Sequence, residues 1–420
     1  MITFKDLHPT TKRLLLARAF RSVGQGALVV DLTLYLHALG WNGFHIGLIL
    51  SIGGLFGALL SLLIGITSDH NRRRPFLLAY EGIVLLCSIT ALLSSQSIVL
   101  SFAIILAGFG RGANGAAGPF SPAEQAWLAE EVAPQRRGRI YSLNTAFGFF
   151  GMALGALLAM LPAFLSNRFE GSSALGINPT AYRPLFIIVA LATISNLFLI
   201  FNAREQYKGQ KRITIAQRSE AEKQIRRKEN KMLTGLGILN SFNGLAVGFT
   251  GPLISYWFAI KFGAGPATIA PMMAATFFIT GISSVLTGRV SERIGIVKSV
   301  VRARFFGLLL LIALPLMPSY WLAAMVYLLR SALNRGSVGA RQALTVGLVR
   351  DERRGFAISI NAVSMQLPQS MGPSVAGYFF NGGNLTLPFY AGALCQAIYL
   401  AMYGRFFRHY NKPDEVEEKQ

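Results

Sequence analysis

Three stretches of this chain, Phe44–Thr67, Ala267–Thr287 and Leu385–Gly404, contain no Lys, Arg, Asp or Glu. About 20 apolar helical residues are what it takes to cross a ~30 Å hydrocarbon core, and each stretch reaches that length. Composition extends the point to the whole chain. Hydrophobic residues make up 52% and charged residues 14%, against about 25% charged in an average soluble domain. A net charge of +21 would suit nucleic acid if the bases formed one patch on a soluble surface. Here they are parcelled out between apolar runs, so nucleic acid is not an expected partner. Cys87 and Cys395 both sit inside apolar runs, which gives neither a disulfide framework nor a zinc site. The chain reads as an all-α polytopic membrane protein with no metal or cofactor.

Apolar runs divided by basic or Gly/Pro/Asn-rich breaks predict twelve transmembrane helices, near 14–38, 44–68, 75–95, 98–128, 139–165, 184–203, 232–260, 266–288, 298–317, 319–347, 356–381 and 385–407. Alternating ten-residue strands of a membrane barrel do not occur. With an outward first helix, the outer connections hold only Arg168, Arg183 and Lys261, while the inner segments hold most of the 40 Lys and Arg. The positive-inside rule then places both termini in the cytoplasm of a multi-pass protein of the cytoplasmic membrane. Arg18 and Arg21 interrupt the first apolar run, so a cleaved signal is not expected.

The two halves repeat each other. At an offset of 217, Gln125-Ala126 matches Gln342-Ala343, Arg136-Arg137-Gly138 matches Arg353-Arg354-Gly355, and Gly155 matches Gly372. Gly65 and Asp69 of GITSDHNRRR match Gly288 and Glu292 of GRVSERIGIV. Two six-helix bundles related by an axis along the membrane normal follow: residues 1–203, a basic cytoplasmic linker 204–231, residues 232–407, and a cytoplasmic tail 408–420.

Charges inside a bilayer are costly and usually face a cavity or a partner. Apart from the bases counted to the inner segments, Arg289 to Arg304 among them, six arginines (Arg18, Arg21, Arg111, Arg330, Arg335, Arg341) and three acids (Asp31, Glu81, Glu124) lie within predicted helices, nearly all on helices 1, 4 and 10. Asp31, in the outer half of helix 1, is an expected coupling or binding carboxylate. Arg111 is an expected cavity cation. Glu124 and Arg341 occupy matching repeat positions and are expected to pair across the bundles. Arg330, Asn334 and Arg341 share one face of helix 10; Arg335 lies off that face and reads as structural. Arg18 and Arg21 are expected to snorkel to the inner surface, and Glu81 to pair locally. Asn240 and Asn243, followed by Gly251-Pro252, predict a kinked helix 7 that exposes polar groups to a cavity. Gly110-Arg-Gly-Ala-Asn-Gly115 matches a dinucleotide pattern but lies in an apolar helix with no preceding strand, so packing explains it. His37 and His45 flank the first outer turn as interfacial polar residues.

Topology, repeat and the loop after helix 2 together resemble the major facilitator superfamily. Gly65, Asp69, Arg73 and Arg74 fit its G-x-x-x-D-R-x-G-R-[RK] signature, with His70 and Arg72 departing from it, and Gly288, Glu292 and Arg293 form a second copy. The resemblance implies a gating role for Gly65, Asp69 and Arg73, with Arg73 meeting Glu130 or Glu131. Gly148, Gly151 and Gly155 resemble the antiporter motif of drug exporters, with Ala156 where that motif has Pro. The expected protein is a monomeric secondary transporter, not an enzyme. It moves a small organic solute by alternating access and is coupled to protons through Asp31 or Glu124. The surplus of intramembrane arginine favours an anionic or zwitterionic substrate, and export ranks slightly ahead of import. The alternatives are an importer of a small metabolite or metal chelate, and a lipid flippase.

Overall fold

A computed structural model describes residues 7–68, 72–111, 121–132, 137–166, 178–205, 220–347, 349–350 and 353–407. All regular structure among them is helical. Twelve spans follow in order: α1 (Pro9–Ala38), α2 (Gly43–Ser68), α3 (Arg74–Leu93), α4 (Ser97–Ala107 with Ser121–Glu130), α5 (Arg137–Leu158), α6 (Pro184–Asn202), α7 (Glu220–Thr250 with Ile254–Phe262), α8 (Pro266–Ile294), α9 (Ile296–Ala313), α10 (Tyr320–Gly336 with Val338–Gly347), α11 (Arg354–Asn381) and α12 (Leu387–Phe406). The predicted count of twelve helices is observed. Asp69, linker residues 206–219 and the tail 408–420 lie outside the described residues.

Three spans are broken, and in α7 the break falls at the predicted kink. The second piece of α7 begins after Gly251-Pro252, where a proline cannot donate to the helical ladder. In α10 the break falls at Ser337, whose hydroxyl donates back to the Asn334 carbonyl at 2.9 Å. In α4 the first piece ends at Gly108 (φ +69°), with Gly110 (φ +72°) beyond it. Both are left-handed conformations that suit a residue without Cβ. The break in α4 therefore begins at Gly108.

Packing repeats between the halves. In α5, Gly155 lies on the Val23 carbonyl and Gly151 on the Ala19 carbonyl of α1. In α11, its repeat partner Gly372 lies on the Gly248 backbone of α7, and Gly244 and Gly248 of α7 lie on Met365 and Gln369. Apolar side chains gain nothing by leaving lipid for one another, so close backbone approach through small residues drives such pairs. The bundles meet along α2–α11 and α5–α8. Gly47 sits on the Pro373 carbonyl, and Phe149 stacks on Phe277 at 6.4 Å.

The core is continuous at one end and divided at the other. Away from the chain termini, one cluster unites both bundles, including Tyr35 of α1, Trp257 and Phe258 of α7, and Tyr327 of α10. His37 meets the Tyr256 ring edge-on at 5.2 Å there. At the end carrying the termini there are two clusters instead. One is built on Trp127 and Tyr141 of the first bundle, the other on Leu236, Tyr399 and Tyr403 of the second. Apolar burial is thus shared across the bundles at one end and split at the other, where the bundles still touch through Ile358 of α11 in the first cluster and Gly339 of α10 against Ser142 of α5.

Candidate functional site: an arginine-lined central cavity

A cavity with about 2060 Å³ of empty space, including the part continuous with solvent, lies between the bundles below the shared core. It runs from Leu50, Pro252 and Pro373 down to Gln125, Gln342 and Asn361. Six arginines line it: Arg21, Arg111, Arg304, Arg330, Arg335 and Arg341. The acid among the lining residues is Glu81.

Arg21 is neutralised. Its Nε donates to Glu81 Oε1 at 2.6 Å and its Nη1 to Glu124 Oε2, all three side chains being buried. Two expectations are corrected here. Arg21 does not snorkel, because two carboxylates from α3 and α4 hold it inside the bundle. Glu124 does not pair with Arg341, because Arg21 of its own bundle is the nearer cation. The repeat relation still holds: Glu124 and Arg341 are each the fourth residue of the second piece of their span. Arg18 is buried behind this group, with Nε and Nη1 lacking acceptors among the described residues, so the snorkelling expectation fails for it too.

The other five guanidiniums have no carboxylate partner among the described residues, and each has a buried nitrogen without an acceptor. Neutral groups hold most of them. Arg304 Nη1 donates to Asn243 Oδ1 at 2.5 Å, with its guanidinium 4.8 Å from the Tyr399 ring centre. Arg330 Nη2 donates to Thr250 Oγ1 at 3.2 Å. Arg335 Nη2 donates to the Tyr327 hydroxyl at 2.9 Å and packs over the Phe277 ring at 5.9 Å, so it faces the cavity and is not merely structural. Arg111 rests against Gly57 of α2 and Gly108, where a Cβ on either glycine would collide with it. A neutral acceptor or a ring face orients a guanidinium without cancelling its charge, leaving the rest of its planar fork for an oxyanion.

The remaining predicted residues divide. Asn334 lines the cavity, and its Nδ2 donates to Gln396 Oε1 at 3.3 Å. Asn243 does not line the cavity but holds two residues that do, Arg304 through its Oδ1 and Met365 through its Nδ2. Asn240 does not line it: its Nδ2 donates to Asn361 Oδ1 at 2.9 Å and to Ser364 Oγ at 3.2 Å, tying α7 to α11. Asp31 is also absent from the wall. It is 0% exposed, with neither oxygen hydrogen-bonded among the described residues, in a small separate pocket with Tyr35, Tyr182, Leu185 and Phe186. Asp31 lies on nearly the same face of α1 as the lining residue Gly24 but about two turns further along the helix, so depth rather than rotation keeps it out of the cavity.

At the divided end, Arg73 forms a two-pronged pair with Glu130, at 2.8 Å for each contact, as expected. Glu205 accepts from the backbone N–H groups of Arg73 and Arg74 at 2.8 and 3.2 Å, capping α3. Gly288 approaches Ser142 of α5, and Arg293 is exposed. Gly65 falls within α2, and the side chain of Glu292 lies outside the described residues.

Sequence reasoning missed Arg304, taken for an inner-surface anchor because it follows Arg289, Arg293, Lys298 and Arg302. Its spacing from Asn243 carries no signal. The signal available was its place as the ninth residue of α9, two turns in from the inner end.

A family model described as Major Facilitator Superfamily matches residues 14–239 and 236–420. The chain is 22% identical to the multidrug resistance protein MdtG of Enterobacter lignolyticus over 355 residues, 82% of this chain and 79% of that protein. Its fold is similar to that of a bacterial homologue of the human lysosomal transporter Spinster, solved inward-facing and unoccupied (TM-score 0.66, 16% identity, 96% of this chain and 97% of that one). It is also similar to that of the human organic anion transporter MFSD10 (TM-score 0.65, 15% identity, 96% and 100%).

Proposed function

The chain belongs to the Major Facilitator Superfamily, and from that premise we propose that it is a secondary active transporter of anionic organic solutes. The observation that carries the proposal is the set of five lining arginines without a carboxylate partner among the described residues. Unpaired charge in a low-dielectric interior is costly, and an anion in the cavity removes that cost. A cation would add to it, so the lipophilic cations that acid-lined exporters accept do not suit this wall.

Alternating access is the proposed mechanism. With the inner ends identified by the positive-inside rule, the shared outer core is a closed outer gate, and the divided end, where α5 touches α8 and α10, is the inner side. Rocking the bundles about α2–α11 and α5–α8 would exchange the two. Arg73–Glu130 would brace the inner end of the first bundle when that side closes, with Gly65, Asp69, Gly288, Glu292 and Arg293 at the two corresponding loops. Protons are the proposed coupling ion, with Glu124 and Glu81 beside the cavity and Asp31 behind the outer gate as the available carboxylates. Export across the cytoplasmic membrane is favoured by the relation to a multidrug resistance protein.

Reconstitution in proteoliposomes tests this. Uptake of an organic anion such as a labelled carboxylate should appear, should respond to an imposed pH gradient, and should be competed by other anions but not by lipophilic cations. Competition by lipophilic cations alone would overturn the charge argument.

A further inference from the structure

The five free guanidiniums fall into two groups on facing walls. Arg304 and Arg330 lie on α9 and α10 of the second bundle, and Arg341 is in the first turn of the second piece of α10. Arg304 lies within electrostatic reach of both Arg341 and Arg330, and Arg330 of Arg335. This cluster repels itself until an anion enters. Arg111 belongs to the opposite wall. It follows the first piece of α4, backed by Gly57 and Gly108, and its Nη2 is buried without an acceptor. The nearest acids of that wall, Glu81 and Glu124, are already engaged by Arg21. Leu28, Leu50, Phe109, Val247 and Met365 supply apolar surface within the same cavity.

We propose that the substrate is an organic dianion with an apolar middle, one anionic group held by Arg304, Arg330 and Arg341 and the other by Arg111. This rests on the anion reading above and narrows it. A single carboxylate satisfies one arginine cluster and leaves the facing pole charged, buried and unpaired. Two anionic groups on one scaffold satisfy both, and the second group binds with the entropic advantage of being tethered to the first. Such a substrate also spans the two bundles, so its binding energy can act on their relative position, as a transported ligand must. Two carboxylates, or a carboxylate with a phosphate, present the planar oxygen pairs that guanidinium forks match.

The test uses the full chain, purified and embedded in lipid nanodiscs, with binding read by calorimetry. The probes are α,ω-dicarboxylates of increasing length, monocarboxylates of equal carbon number, and chloride. We expect the best dicarboxylate to bind about tenfold or more tighter than its monocarboxylate, with an optimum in chain length rather than a steady rise. Arg111→Gln should abolish that advantage, bringing the two series to within about threefold of each other, whereas Arg330→Gln should weaken both classes. The wild-type ratio needs no variant, so a poorly folded Arg111→Gln would not rescue the idea. Equal affinity for the two series, or full displacement of the dicarboxylate by equimolar chloride, overturns the two-pole proposal and leaves the anion reading standing. Binding of neither series, with binding of lipophilic amines, removes both.

Discussion

Asn243 of α7 accepts a 2.5 Å hydrogen bond from Arg304 of α9, and this contact sets which way the most deeply enclosed cavity arginine points. Tyr399 of α12 lies 4.8 Å from the same guanidinium, and Gln396 of α12 donates to the Arg304 carbonyl at 3.1 Å. Three helices of one bundle thus fix a cation without neutralising it.

Asn243→Ala should therefore lower anion affinity without abolishing folding. A hydrogen bond to a charged group is worth about 1.5–3 kcal/mol, so KM should rise roughly ten- to a hundredfold with the protein still monodisperse. Asn243→Asp should reduce binding further, since it cancels the charge it holds. Transport kinetics in proteoliposomes check both; an unchanged KM in Asn243→Asp would contradict the role given to Arg304.

Arg21 is the common cation of Glu81 and Glu124. Arg21→Met should strand two buried carboxylates and destabilise the first bundle by about 3–5 kcal/mol, visible as a large drop in unfolding temperature. The triple change Arg21→Met, Glu81→Gln, Glu124→Gln should recover most of it. A Glu124→Arg, Arg341→Glu exchange should not restore activity, because the observed partner of Glu124 is Arg21.

Arg73 and Glu130 form an ion pair in which Arg73 is buried and Glu130 partly exposed. Its direct contribution to stability should be small, about 0–1 kcal/mol as for most solvent-touched pairs. Arg73→Glu should nevertheless impair transport, and the exchange Arg73→Glu, Glu130→Arg should restore part of it. Loss in both, with normal unfolding temperature, would assign Arg73 to another partner.

Gly372 has the Gly248 backbone where a side chain would go. Gly372→Val should push α11 off α7 and reduce folded yield, by an overpacking cost of about 1–3 kcal/mol or more. Gly82, with nothing within 4 Å of an added Cβ, is the control: Gly82→Ala should be neutral or slightly stabilising. Yield and thermal unfolding after detergent extraction decide it.

Membrane insertion, the twelve spans, the duplication and the presence of costly intramembrane charges were legible in the residues alone. Hydropathy over about 20 residues and a repeat offset are properties of the chain in one dimension. So was the Arg73–Glu130 contact, which joins neighbouring inner ends. Partner choice between spans was not legible. Each residue turns an α-helix by about 100°, so the rotation of α1 decides that Arg21 meets Glu81 and Glu124, while depth along the same helix puts Asp31 in a separate outer pocket. The breaks at Gly108, Gly251 and Ser337 reset the facing of everything beyond them. That is why Glu124 and Arg341, equivalent by repeat, end in different company, and why Arg304 joins the cavity wall. The sequence could count the charges; only the packed helices, by their rotation and their breaks, could pair them.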